Sequence, residues 1–312
     1  MIPRRWLVQV RARAVLAASE EVLLDCGEGV RLLGHYARSP RSNGRLVVLL
    51  HGWEGNANSV YVLSCAAFLY EQGCDIFRLN FRDHGPTHQL NPDIFHSCRL
   101  PEVLGAIQSI GRRYPHHSMS LVGYSLGGNF ALRVAAVAPT HGLALTQVIA
   151  MCPVLDPART MHQLNNSFVI YRYYFIRKWR RSLLKKLRAW PTLYQTEDLL
   201  KRRSLTEMIE HLVVRYTSYE SSIAYLNDYA LVGTRLADLS VNSHIYMAMD
   251  DPIIDVQDVS RLAQSPHLAV TIARHGGHCG FLDGIQRESW ADRQVARLLF
   301  VDSVTNATTG GD

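Results

Sequence analysis

Ser118-Met119-Ser120-Leu121-Val122-Gly123-Tyr124-Ser125-Leu126-Gly127-Gly128 decides the fold. Ser118 to Val122 reads as a short buried strand, and residues 126–138 carry a helical pattern. Between them lies Gly-x-Ser-x-Gly, the pattern of a serine held on a sharp, strained strand-to-helix turn. The glycines two before and two after Ser125 leave room for that turn. Ser125 is therefore the candidate nucleophile, and the Leu126 amide at the start of the helix points toward charge developing on an attacked carbonyl.

Working outward, the same rhythm repeats. Leu46 to Leu50 is wholly apolar and reads as a strand buried on both faces, followed by His51-Gly52-Trp53-Glu54-Gly55-Asn56 with turn chemistry. A helical pattern over 57–72 ends near Gly73, and Cys74 to Leu79 is a second strand. A helix from about Leu100 to Arg113 precedes the serine strand, and Leu145 to Met151 follows it. The rhythm stops at Pro153 and resumes with strand His244 to Met249, a helix near 256–263, strand Leu268 to Ala273 and a last helix from about 285 to 302. Such alternation predicts an α/β fold, a mostly parallel sheet covered by helices on both faces. It also predicts a division into a first core part (1–152), an inserted helical lid (153–243) and a second core part (244–312), with a frayed tail from Thr305 to Asp312.

A serine hydroxyl needs a neighbouring base. With the chain order serine, acid, histidine, the search moves to the C-terminal part. His278 lies in Arg274-His275-Gly276-Gly277-His278-Cys279-Gly280-Phe281, a glycine-lined loop after the last expected strand, and is the candidate base; His275 is its rival. A His-x-x-His metal pair lacks a third ligand at suitable spacing. Asp250 and Asp251 follow strand His244 to Met249 directly. Asp251, beside the turn-fixing Pro252, is the candidate acid; Asp250 is the runner-up, with turn capping as its other role, and Asp255 caps the next helix. A second oxyanion donor is expected from the amide of Trp53, with His51 as a loop anchor. The Trp53 ring fits either an acyl pocket or the core.

With these motifs in hand the chain resembles the α/β-hydrolase superfamily over nearly its whole length. More narrowly, it is similar to YheT-like bacterial hydrolases, their eukaryotic ABHD1- and ABHD3-type relatives, and yeast medium-chain ester synthases. The narrower likeness rests on His51-Gly52-Trp53-Glu54-Gly55, Leu79-Asn80-Phe81-Arg82-Asp83-His84-Gly85, His96-Ser97 and Tyr225-Leu226-Asn227-Asp228-Tyr229. The resemblance implies hydrolysis or acyl transfer on medium-chain or lipid-like esters, with no cofactor. Members of that branch commonly have Arg-Gly after the Asn of the Asn80 segment, whereas this chain has Arg82-Asp83.

Composition bounds the rest. Over 312 residues, 47% hydrophobic and 19% charged content indicates a globular chain, and the formal net charge of +6 leaves several partners open. Six cysteines form no Cys-x-x-Cys pair, and the basic start Met1 to Arg5 runs into a segment broken by Gln9, Arg11 and Arg13. Both point to a cytoplasmic protein with reduced thiols and no signal peptide. Charge concentrates in Tyr171 to Arg188, where eight cations alternate with Tyr173, Tyr174, Phe175 and Trp179. That segment reads either as a solvated helix with aromatics packed on the core, or as a basic face touching an anionic membrane. No nucleic-acid module is recognised. Three functions stay open: ester hydrolase, acyltransferase to an alcohol, or non-catalytic binding protein. Oligomeric state is not readable.

Overall fold

The computed structural model describes residues 2–166, 169–194, 202, 204–281 and 288–305. Eight strands form one sheet: β1 (Ser19–Asp25), β2 (Arg31–Ala37), β3 (Arg45–Leu50), β4 (Asp75–Leu79), β5 (Ser118–Tyr124), β6 (Gln147–Met151), β7 (Ser243–Ala248) and β8 (Leu268–Ala273). Their spatial order is β1-β2-β4-β3-β5-β6-β7-β8. The β1–β2 and β2–β4 pairs are antiparallel, and the others parallel.

The apolar run at β3 has a direct cause. Leu46, Val48 and Leu50 enter one hydrophobic cluster while Val47 and Leu49 enter the other, so both faces of the strand are buried. On the first face lie α4 (Leu100–Arg113) and α5 (Leu126–Val137), with Ile107 and Phe130 in the shared core. The second face is covered by α1 (Ile2–Arg11), α2 (Arg13–Ala17), α3 (Val60–Glu71) and α10 (Trp290–Thr305). Burying each Val or Leu of β3 contributes about 1.5–3 kcal/mol.

After Met151 the chain leaves the sheet and returns at Ser243. Between these points it forms α6 (Pro157–Asn166), α7 (Val169–Ala189), α8 (Leu205–Tyr216) and α9 (Ser222–Asp228). Ser204 and Ser221 cap α8 and α9 by accepting the amides of Glu207 and Ala224. Leu164, Leu183, Leu205 and Leu212 pack these helices onto the first face.

Two expectations need adjustment. The helix placed near 256–263 is a 3-10 segment over Val256–Arg261, capped by Asp255, whose carboxylate accepts the Gln257 amide. The helix placed over 57–72 begins only at Val60, because Asn56 to Ser59 form a turn closed by Ser59 N–H to Asn56 O. The β1–β2 hairpin and helices α1 and α2 were not anticipated. Of the last helix, placed from 285, the part 285–287 lies outside the described residues, as does 306–312 of the tail.

Candidate active site

Ser125 sits between β5 and α5 with φ 53° and ψ −117°, a conformation in which a residue with a side chain is strained. The turn is tolerated because the neighbouring backbones come unusually close. A Cβ at Gly123 would lie 2.2 Å from the Gly127 carbonyl oxygen, and one at Gly127 would lie 2.4 Å from that of Leu50. Neither site has room for a methyl group. The Ser125 amide donates to Met151 O at 2.9 Å, tying the turn to the end of β6.

His278 and Asp251 reach this serine from two loops at the same sheet edge. His278 Nε2 lies 3.0 Å from Ser125 Oγ, and Nδ1 lies 2.9 Å from Asp251 Oδ2. An ionised carboxylate only accepts, so Nδ1 carries the proton and Nε2 is the acceptor facing the serine hydroxyl. The other oxygen, Asp251 Oδ1, accepts the amides of Ile253 at 2.8 Å and Ile254 at 3.1 Å. Burial alone would raise the Asp251 pKa. The hydrogen bond from His278, strengthened when the imidazole is protonated, and the two amides outweigh it and hold the group below its ordinary value. The runner-up Asp250 shapes the histidine loop instead, its Oδ1 accepting the amides of Gly276 and Gly277, both at 2.8 Å. His275 is 88% exposed and turns toward Asp250, away from Ser125.

The loop after β3 is fastened on both sides of Trp53. His51 Nδ1 donates to Gly52 O at 2.8 Å while its Nε2 accepts the Phe81 amide, and Tyr61 OH accepts the Gly52 amide. His84 repeats the device: Nδ1 donates to Arg82 O, and Nε2 accepts the Glu54 amide at 3.1 Å. Burial lowers the pKa of His51 to about 4 and that of His84 well below its ordinary value, so both are neutral anchors. From α7, Lys178 Nζ donates to Glu54 O at 2.8 Å. Among the described residues the amides of Trp53 and Leu126 donate to no protein acceptor. The expected anchor role of His51 matches this geometry. Tyr61, His84 and Lys178 were missed; His84 stood within the Leu79 to Gly85 motif, but no local signal marked the other two.

Ser125, His278, Trp53 and Leu126 line one cavity of about 660 Å³. Its walls include Val154, Met161, Leu164, Phe175, Ile209 and Ile253, so the inserted helices supply much of its apolar surface. The Trp53 ring lies in that cavity and is stacked on Phe175 at 5.7 Å and edge-on to Trp179 at 5.2 Å. Phe175 and Trp179 are one helical turn apart, which places both on the same face of α7.

Glu54 is half-buried overall, but its carboxyl end is enclosed. Burial pushes its pKa up to about 7; Lys178 and Lys185 oppose this and Asp83 adds to it. Folded protein thus retains a proton that the unfolded chain releases above about 4.5, and stability falls as pH rises from there to about 7. Glu54→Gln should therefore match the parent below that window, gain on it through the window and keep the gain above. Urea midpoints across a pH series measure this, and parallel curves would contradict it.

A sequence profile for the alpha/beta hydrolase fold matches residues 45–285. YheT of Escherichia coli (strain K12), provisionally named an esterase, is 24% identical over 95% of this chain and 87% of its own length. Phospholipase ABHD3 of Bos taurus is 21% identical over 79% of this chain, which spans only 61% of that relative. Among solved structures, the Pyrococcus furiosus esterase Pf2001 superposes with a TM-score of 0.60 at 14% identity, over 90% of this chain and 91% of its own, a likeness of fold. The profile covers well over half of the chain and spans Ser125, Asp251 and His278, and the chain belongs to the α/β-hydrolase fold family.

Proposed function

We propose that the protein is a carboxylic ester hydrolase acting on medium-chain or lipid-like esters through an acyl-enzyme. The observation that carries this is the unbroken relay from Ser125 Oγ through both nitrogens of His278 to Asp251. Ser125 attacks the ester carbonyl as Nε2 takes its proton, and the amides of Trp53 and Leu126 hold the oxyanion. The imidazolium then protonates the leaving alcohol. Water, deprotonated by His278, releases the acid and restores the serine. Asp251 keeps the proton on Nδ1 throughout. Residues 153–243 act as a lid, and the side chains of Met161, Leu164, Phe175 and Ile209 that it turns into the cavity accept the acyl chain. The names of YheT and ABHD3 fall in the same reaction class.

The test pairs a fluorophosphonate probe with p-nitrophenyl esters of increasing chain length, on the parent protein and Ser125→Ala. Labelling of the parent alone, with turnover rising from acetate to a medium-chain optimum, is the expected result. A folded parent protein that neither labels nor turns over any ester would return the chain to the non-catalytic binding reading.

A further inference from the structure

Two helices far apart in sequence border the candidate active-site cavity. Arg5 of α1 and Tyr174, Phe175 and Lys178 of α7 line the same space as Ser125. Helix α1 is held by one side: Val8 is buried, and Arg11 bonds Glu71 and lies over the Phe68 ring. That attachment turns Trp6 and Leu7 outward, 62% and 41% exposed. Helix α7 is likewise held by its Phe175 and Trp179 side, which leaves Tyr173 and Tyr174 60% and 52% exposed. From Tyr174 an exposed stripe continues through Arg177, Arg181, Lys185 and Arg188 at helical spacing. Neither helix contains an acidic residue. Among the described residues, Arg177, Arg181 and Arg188 have no carboxylate partner.

We propose that α1 and α7 together form a docking face for an anionic lipid bilayer. Trp6, Leu7, Tyr173 and Tyr174 enter the headgroup region, and the arginines and lysines meet lipid phosphates. Amphipathic aromatic rings favour that depth, and acid-free cationic stripes are drawn to an anionic leaflet. The composition selects this occupant over a second copy of the chain, since pairing two such faces would oppose like charges. Among the described residues no helix is long and apolar enough to cross a membrane, so the contact is peripheral. The consequence for an ester substrate, that it passes from bilayer to cavity without crossing water, rests on the hydrolase reading; the docking itself does not.

Co-sedimentation of the full chain with phosphatidylcholine vesicles, with and without phosphatidylserine, tests it. Expected is binding at least about tenfold tighter to the anionic vesicles and weakened by added salt. Arg177→Glu/Arg181→Glu should weaken it about 100-fold, and Trp6→Ala/Leu7→Ala about tenfold. Both variants should keep the parent's melting temperature and its turnover of a soluble short-chain ester. No preference for anionic vesicles, or variants that bind as the parent does, overturns the proposal. Vesicle binding by a protein that fluorophosphonate does not label would keep the docking face and remove the hydrolase reading.

Discussion

Asp251→Asn should lower kcat for an ester about 10⁴-fold while Asp250→Asn lowers it less than about tenfold. The geometry gives the reason for the difference. Asp251 Oδ1 accepts the amides of Ile253 and Ile254, whereas Oδ2 accepts His278 Nδ1. An asparagine at 251 would place its carbonyl oxygen on the two amides, because its NH2 cannot accept from them. That NH2 would then face Nδ1 and force the imidazole proton onto Nε2. The base facing Ser125 would become a donor, with every atom nearly in place. At position 250 the required chemistry is only an acceptor for Gly276 and Gly277, which an asparagine oxygen supplies. Steady-state kinetics on the two variants decides the assignment. Equal losses would mean that the loop, and not the tautomer, sets the rate.

Much of this arrangement was legible because its constraints are local. Gly123 and Gly127 flank Ser125 for steric reasons, and β3 is apolar throughout because both faces are covered. The order serine, acid, histidine then left few candidates, and two glycines beside His278 marked its loop. Between Asp250 and Asp251 only the adjacent proline argued, and the deciding contacts lie 26 and 27 residues away. The β1–β2 hairpin carried readable signs: Val22 and Leu24 alternate with outward residues, and Gly27 and Gly29 adopt positive φ in the turn. Its place at the sheet edge, antiparallel to β4, is set by long-range pairing that no local pattern encodes. The fastening of Trp53 was hidden for the same reason. Lys178 reaches Glu54 across 124 residues, and a lysine in a run of cations looks like any solvated charge.

Lys186→Met should destabilise the protein by about 3–5 kcal/mol above pH 7, the largest loss of stability expected from one substitution in α7. Lys186 is 1% exposed. Its ammonium donates to Asp83 Oδ1 at 2.8 Å, Asn91 O at 2.6 Å and Asp93 O at 2.8 Å. A methionine fills the space but leaves the Asn91 carbonyl unpaired, the Asp93 carbonyl with Arg82 alone, and the Asp83 carboxylate buried with the Phe95 amide as its remaining hydrogen-bond partner. Burial already pushes Asp83 up to about 6 despite Lys186, so without the lysine it stays protonated to higher pH. The deficit should therefore shrink as pH falls toward about 6 and level off below it, and Lys186→Met/Asp83→Asn should recover a large part of it. Denaturant midpoints at pH 5 and pH 8 measure both effects. A loss independent of pH and not relieved by Asp83→Asn would assign it to packing alone. Asp83 lies in the loop after β4, and Lys186 lies in the cationic helix α7. The two are partners in one buried ion pair. Ser182 Oγ donates to Asp83 O and Trp190 Nε1 to His88 O beside it, which fixes the C-terminal half of α7 to the loop after β4. The same rigid helix carries Phe175, Lys178 and Trp179 onto the Trp53 loop. Loosening it at Lys186 should accordingly lower kcat as well, through a donor loop that Lys186 never touches.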